Sequence, residues 1–321
     1  MSITAMPTPV IDNLAPEQFT FWRPAPGTTV SVGPAALPVE LPDFPLPIDR
    51  QVLVAGSPGD AAIGQGVYDY LRQFPDCPGN IVYAELLRDA YPHFLTDLAA
   101  HAVMLDAKQV EPAYVARKLA CLKVLRLLDL RNRGLLWQLS RGYFDLALEF
   151  AELARCRHHL HDALRFGQEM LALDENDRQA LSVLAEIDLF LGDLPAAIGK
   201  WQRLAALVSD PALQSGIAAR IAAHSGRLPT APLVEELEAI AMAMQLHATG
   251  HADEAVALLE HIDEQGQLPE LCPSADFYCL LGQCRLAAGD RSGAVVALQK
   301  ALDLEPGHAG ATGILETVQR G

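Results

Sequence analysis

The densest grouping of reactive side chains is Cys156-Arg157-His158-His159-Leu160-His161. Thiolate and imidazole are both good zinc ligands, so the run invites a metal site. A zinc ion, however, needs ligands that converge on one point. The run falls where a turn between two helices is expected, so adjacent ligands cannot all converge. No second ligand pair stands at a zinc-like spacing. The expectation is a set of exposed turn histidines and no metal. His247 and His251 are four apart and could share a helix face, with His261 and Glu254 nearby. That pair lacks an acidic third ligand. Neither H-E-x-x-H nor G-x-S-x-G occurs, so no catalytic residues are assigned.

A third pattern begins at Gln51. Gln51 to Gly56, QVLVAG, reads as a short strand running into SPGDAAIGQG and then the helix VYDYLRQF. Strand, Gly-rich loop and helix outline a phosphate cradle. The glycine spacing fits neither G-x-x-x-x-G-K-[ST] nor G-x-G-x-x-G, and no further strands follow to build a parallel sheet. A plain helix-entry loop and no cofactor are expected.

The elements that would hold such residues differ along the chain. Residues 1–59 contain 11 of the 22 prolines, which forbids long helices and favours an extended, polyproline-type arm. Phe19, Phe21, Trp22, Leu37, Leu41, Phe44 and Ile48 make that arm too apolar for a plain linker, so it should lie on a helical body. Residues 60–140 read as irregular helices. IVYAELLRDAY stops near Pro92. HFLTDLAAHAVMLDAK places Phe94, Leu98, Val103 and Leu105 partly on one face. A third helix after Pro112 carries Leu119, Leu122, Leu125 and Leu128. Arg117, Lys118, Lys123, Arg126, Arg131 and Arg133 make this stretch locally basic. A solvated helix face explains that, and a patch for an acidic partner is the sharper alternative.

From Phe277 to Pro306 the pattern sharpens. Tyr278, Leu281 and Leu286 recur at helical spacing, and Gly282 is small enough for a second helix to cross. Gly289-Asp290 stops the first helix. Ala294, Leu298 and Ala301 form the inner stripe of a second, and Pro306 ends it. These eight positions, Tyr278, Leu281, Gly282, Gly289, Ala294, Leu298, Ala301 and Pro306, resemble the tetratricopeptide repeat (TPR) signature. Arg285 departs from it where an aromatic is usual.

The alanine opening each second helix works as a ruler. Ala163 to Ala197 is 34 residues, the TPR period. Ala197 to Ala255 is 58, which is 34 plus a 24-residue insertion, and within it DPALQSGIAARIAAHSG, from Asp210, reads as one extra helix. Ala255 to Ala294 is 39, five more than the period, with a lengthened loop at GQLPELCPSA. Gly192, Gly250 and Gly289 each stand five residues before their alanine, whereas His158 takes that place in the first unit. The expected fold is therefore all-α. A TPR-like solenoid of about four units spans 141–321, and HAGATGILETVQ is its capping helix.

In TPR proteins the first helix of each unit lines a concave groove. The resemblance implies groove positions Leu148, Glu152 and Arg155 in the first unit, beside Asp145 and Glu149. In the second it implies Glu186, Leu189 and Phe190, beside Gln179, Ser182 and Val183. Ile240, Met244 and His247, with Leu237, follow in the third. Cys279 and Gln283, with Asp276 and Leu286, follow in the fourth. The lining is mostly apolar with acidic residues at one end, and it lacks the Lys/Arg/Asn set that clamps a peptide carboxylate. The Pro-rich arm, anchored by Trp22, is an alternative occupant.

The formal net charge is −16. Acidity repels phosphate backbones and argues against nucleic acid as a partner. No apolar run reaches the roughly 18–20 residues of a membrane helix. The first residues lack the basic start and apolar core of a secretion signal, and six cysteines without a C-x-x-C pair suit a reducing, cytoplasmic setting. The functional expectation is non-enzymatic binding of a basic or apolar protein or peptide, as an adaptor, assembly factor or accessory subunit. The alternatives are an enzyme or enzyme subunit with its site in 50–140, or a receptor for a small molecule or signalling peptide.

Overall fold

A computed structural model of the chain describes residues 16–31, 37–53, 57–106, 112–225 and 232–320. The chain forms two compact units, Met1–Leu139 and Ser140–Gly321.

In the first unit the proline-rich region pairs with itself. Strand β1 (Phe19–Trp22) runs antiparallel to β4 (Leu46–Asp49), with Phe19 opposite Asp49 and Trp22 opposite Leu46. Between them, β2 (Thr29–Val30) pairs with β3 (Val39–Glu40). Among the described residues these short ladders stand where a polyproline-type arm was expected, and residues 1–15 and 32–36 of that arm lie outside the described residues. Two-stranded ladders have free edges, and an edge position is where Pro47 can sit without breaking a central hydrogen-bond row. Leu46 and Ile48 are fully buried. The expected strand at Gln51 is corrected: Arg50–Leu53 is a single helical turn, α1. Residues 54–56 of that stretch, including Gly56, lie outside the described residues.

Helix α2 (Asp60–Gln73) receives β4 at close range. A Cβ on Gly66 would lie 2.5 Å from the Pro47 carbonyl oxygen, and one on Gly64 would lie 2.4 Å from the Tyr91 ring. Those two glycines, read earlier as part of a loose loop, are contact points. Tyr83 of α3 (Asn80–Ala90) donates to the Pro45 carbonyl at 2.7 Å, and Tyr91 donates to the Asp60 carbonyl at 2.7 Å. Helix α4 (Pro92–Asp106) buries Leu98, Ala102 and Leu105. Val103, expected on the same face, is 71% exposed. In α5 (Pro112–Leu128), Leu119 and Leu122 are buried as the pattern implied, together with Cys121 and Val124. Lys123 is not on a solvated face: it is buried and meets Asp76 at 2.7 Å.

Helix α6 (Arg133–Leu148) leads into the second unit, and a 3-10 segment, Phe150–Arg155, joins it to α7 (Cys156–Leu173). Helix pairs follow: α8 (Arg178–Leu191) with α9 (Leu194–Leu207), then α11 (Leu233–Ala248) with α12 (Ala252–Gln265). The last pair is α14 (Ala275–Ala287) with α15 (Arg291–Leu304). The two insertions are α10 (Pro211–His224) and the short α13 (Leu268–Leu271), and α16 (Ala309–Arg320) closes the unit.

The sequence ruler marks the core of this array. Ala163, Ala197, Ala255 and Ala294 are all fully buried. Gly192, Gly250 and Gly289 sit at φ of 86°, 86° and 87°, the left-handed region that lets a helix end in one residue. Asp193 and Asp290 then cap the next helix by accepting from Ala196 N and Gly293 N. Gly282 lets α15 approach, since a Cβ there would stand 2.8 Å from Leu298 Cγ. Arg285, at the position where the repeat signature has an aromatic, bonds Glu260 at 2.7 Å and the Gly293 carbonyl at 3.0 Å.

Gly289 has open space around it, whereas a Cβ on Gly192 would meet Pro232 at 2.9 Å. Gly289→Ala should therefore cost only the backbone term, about 1–2 kcal/mol. Gly192→Ala should cost more, because overpacking adds to it. Urea denaturation followed by far-UV circular dichroism checks the order, and equal costs would contradict the contact.

Candidate functional site

The 39-residue interval between Ala255 and Ala294 places extra chain between α12 and α14, and a cavity of about 220 Å³ opens there. Its wall is apolar. Leu153, Leu237, Ile240, Leu268 and Phe277 are buried and make the floor. Leu148, Phe150, Pro269, Cys272, Pro273 and Ser274 complete the lining. Local chemistry fixes each wall. The Glu236 carboxylate accepts from Gln267 N at 2.9 Å and Leu268 N at 2.8 Å, so it caps α13 from the side. A Cβ on Gly266 would strike that carboxylate at 2.6 Å, which leaves glycine as the residue that fits. Ser274 caps α14 by accepting from Phe277 N. Burial pushes the Cys272 thiol above its ordinary range, opposed by the Arg220 charge and reinforced by Glu186.

The 3-10 segment forming the opposite wall is tied to α7 by a polar contact. Glu152 Oε2 stands 3.1 Å from His159 Nε2, and the Tyr143 ring stacks on the imidazole with centroids 6.0 Å apart. His159 is 3% exposed, and its Nδ1 is buried with no hydrogen-bond partner. Desolvation lowers the His159 pKa, with Arg155 and His158 acting the same way and Glu152 opposing. The cluster that suggested metal chemistry is thus not a turn. It is the start of α7, and a helix sends Cys156 and His159 inward while His158 and His161 face water. Among the described residues no group of three or more His, Cys, Asp or Glu could hold a metal ion.

The predicted groove residues divide. Leu148 and Ile240 meet in the cavity wall, with Leu237. Glu152 is engaged by His159, and the exposed Arg155 stands 3.9 Å from it. Phe190 is closed into the interior, edge-on to Phe144 with centroids 5.6 Å apart. Leu189 packs on the cluster around Trp201, and Glu186 is covered by Arg220. Met244 and His247 are half-buried on α11, and the His247 Nδ1 is buried without a hydrogen-bond partner. Cys279 is buried, with Gln283 Nε2 at 3.6 Å from its Sγ. Phe150, Leu153, Leu268, Pro269, Cys272, Pro273, Ser274 and Phe277 were not anticipated. For Leu268 to Ser274 the signal was the five-residue excess in the repeat interval, filled by a loop as apolar as LPELCP, whereas Phe150 and Leu153 come from the 3-10 segment before α7.

No protein-family model and no curated protein matches the sequence. Among solved structures, the MamA protein is 19% identical over 66% of this chain and 92% of its own, with a TM-score of 0.29. A thermophilic TPR protein from Thermus thermophilus is 15% identical over 71% of this chain and 100% of its own, at 0.28. A tetratricopeptide repeat protein from Parabacteroides merdae is 13% identical over 81% and 92%, also at 0.28. These superpositions are partial. What makes residues 140–321 a TPR-like helical-repeat array is its own construction: helix pairs, left-handed turn glycines and buried ruler alanines. Among the described residues the chain is mainly helical, with a helical-repeat array in its second unit and two small β-ladders in its first. Among the described residues no helix is long and apolar enough to cross a membrane.

Two outcomes follow from this geometry. A histidine whose folded pKa lies below its ordinary value adds stability above that value and loses it as pH falls. Melting temperature should drop from pH 7.5 to pH 5.5, and His159→Gln, which keeps the Nε2 donor without titrating, should show a smaller drop. An identical pH response in the two proteins would rule His159 out as the cause. Phe190→Ala should destabilise the array by about 3–5 kcal/mol as a core truncation, read by urea denaturation.

Proposed function

We propose that the array of residues 140–321 is a protein- or peptide-binding scaffold, and that the chain serves as an adaptor, assembly factor or accessory subunit. The observation that carries this is the apolar cavity between α11, α13 and α14. Its size discriminates among ligands. Small-molecule sites span about 300–1,000 Å³, and this one is about 220 Å³. An apolar cavity of about 150 Å³ holds a benzene ring. One large aliphatic or aromatic side chain from a partner fits that range.

Charge narrows the partner further. Residues 140–321 hold 26 of the 40 Asp and Glu and 13 of the 24 Lys and Arg, so they carry −13 of the −16. Such a surface favours a basic or apolar polypeptide, speeds its encounter, and disfavours nucleic acid. The described part of the Gly-rich stretch supports no rival site, since Gly64 and Gly66 are consumed by packing against Tyr91 and Pro47.

Selection from a random 12-residue phage-displayed library tests the reading. Peptides recovered on the intact protein should share a large apolar residue. Cys272→Trp, which blocks the mouth without touching the floor, should weaken the best synthetic peptide at least tenfold, about 1.4 kcal/mol, with the melting temperature unchanged. Peptides that bind Cys272→Trp as tightly as the original protein would remove the cavity from the account.

A further inference from the structure

Helix α10 is held to the array by one stripe and by Gln214, whose amide donates to the Val208 carbonyl at 2.6 Å and the Ala205 carbonyl at 3.4 Å. Ile217 and Ile221 pack against the buried cluster of Ala185, Ala197 and Trp201. Arg220 pairs with the Glu186 carboxylate and lies 5.3 Å from the centre of the Trp201 ring. His224 stacks on the same ring, with centroids 5.7 Å apart. Positions 217, 220, 221 and 224 follow the i, i+3, i+4, i+7 spacing by which an amphipathic helix lies in a groove. Every other residue of α10 is exposed, Leu213 by 58%. The paired helices are rooted differently: α9 buries Ala197, Trp201 and Leu204, and α12 buries Ala255, Leu259 and Ile262. His224 alone is buried in α10.

The surface beneath α10 is built to receive a cation. Glu186 is 16% exposed, and burial holds its carboxyl above the usual range against the pull of Arg220 and the Trp201 side chain. A carboxylate so placed is costly without a positive partner. Trp201, Leu189 and Ile198 supply the apolar floor around it.

We propose that the α8–α9 surface centred on Trp201 and Glu186 is a helix-docking site, held here by α10, whose external occupant is a basic amphipathic helix of a partner protein. The occupant's chemistry is read from α10 itself: branched aliphatics four apart, an arginine directly before the second, and a flat ring one turn further on. A second copy of the array is disfavoured as the occupant, because each carries a formal −13. The site neighbours the cavity, since the Arg220 and Glu186 charges act on the Cys272 thiol of its lining. Tethering gives α10 a high effective concentration, so a partner helix must exceed it in intrinsic affinity.

The test uses the full chain and the synthetic peptide of residues 211–224. In the native protein, α10 amides should exchange with deuterium at least tenfold faster than those of α8 and α9. A double variant, Arg220→Glu with Ile221→Ser, places like charges together and releases α10. It should bind the added peptide at least tenfold tighter than the native chain does, and should not bind the peptide carrying the same Arg220→Glu change. Three results would overturn the proposal. One is α10 exchanging as slowly as α9. Another is loss of α8 and α9 protection in the double variant, which would make α10 integral to the core. The third is a protected double variant that ignores the peptide or forms a dimer.

Discussion

Close approach of helix to helix is the constraint on which the array depends. At each crossing a fully buried alanine, Ala163, Ala197, Ala255 or Ala294, keeps the second helix of a pair near its neighbours. Gly282 on α14 and Gly167 on α7 allow the same proximity, since added Cβ atoms would stand 2.8 Å from Leu298 and Leu184. Small residues at these points let the larger ones, Phe166, Leu184, Trp201 and Leu298, interdigitate at the density protein interiors require. Each repeat hides only part of its apolar face alone, and the neighbouring repeat covers the remainder.

Because that core is periodic, departures from the period fall outside it. The 24 residues beyond one repeat include the 14 of α10, and the five beyond another widen the turn into α13 and the cavity. Neither insertion moves a ruler alanine from the interior. Repeat architecture therefore separates stability from recognition: crossings hold the array together, while inserted chain shapes what a partner meets. The same separation explains Glu186. Its place on α8 is set by the repeat, but the group it faces, Arg220, comes from the insertion.

The first unit uses close approach without periodicity. Gly66 admits the backbone of Pro47 and Ile48, and Gly64 admits the Tyr91 ring. Phe19 meets Tyr70 edge-on at 5.1 Å, and Tyr83 fastens the chain at Pro45. Apolar residues scattered among prolines, too many for a linker, find their place in these contacts. The sequence indicated that this segment would lie on helices. It held no period-2 run long enough to reveal strands of two and four residues.

The array's helices, its turn glycines and its buried alanines were legible in the order of residues. Spacing along a helix and the demand for a left-handed turn are local properties, fixed by neighbours within a few positions. The insertions were countable for the same reason. Tertiary structure alone decided which of the exposed-looking positions face water. Phe190 and Cys279 lie on the helices that the repeat assigns to a groove, yet both are closed inside. Glu152 is committed to a histidine seven residues on, Lys123 to an aspartate 47 residues back, and Glu186 to an arginine 34 residues on. Partners so far apart are chosen by packing geometry, which periodicity does not encode. The cavity is the same kind of object: a space between several segments, a property of none of them singly.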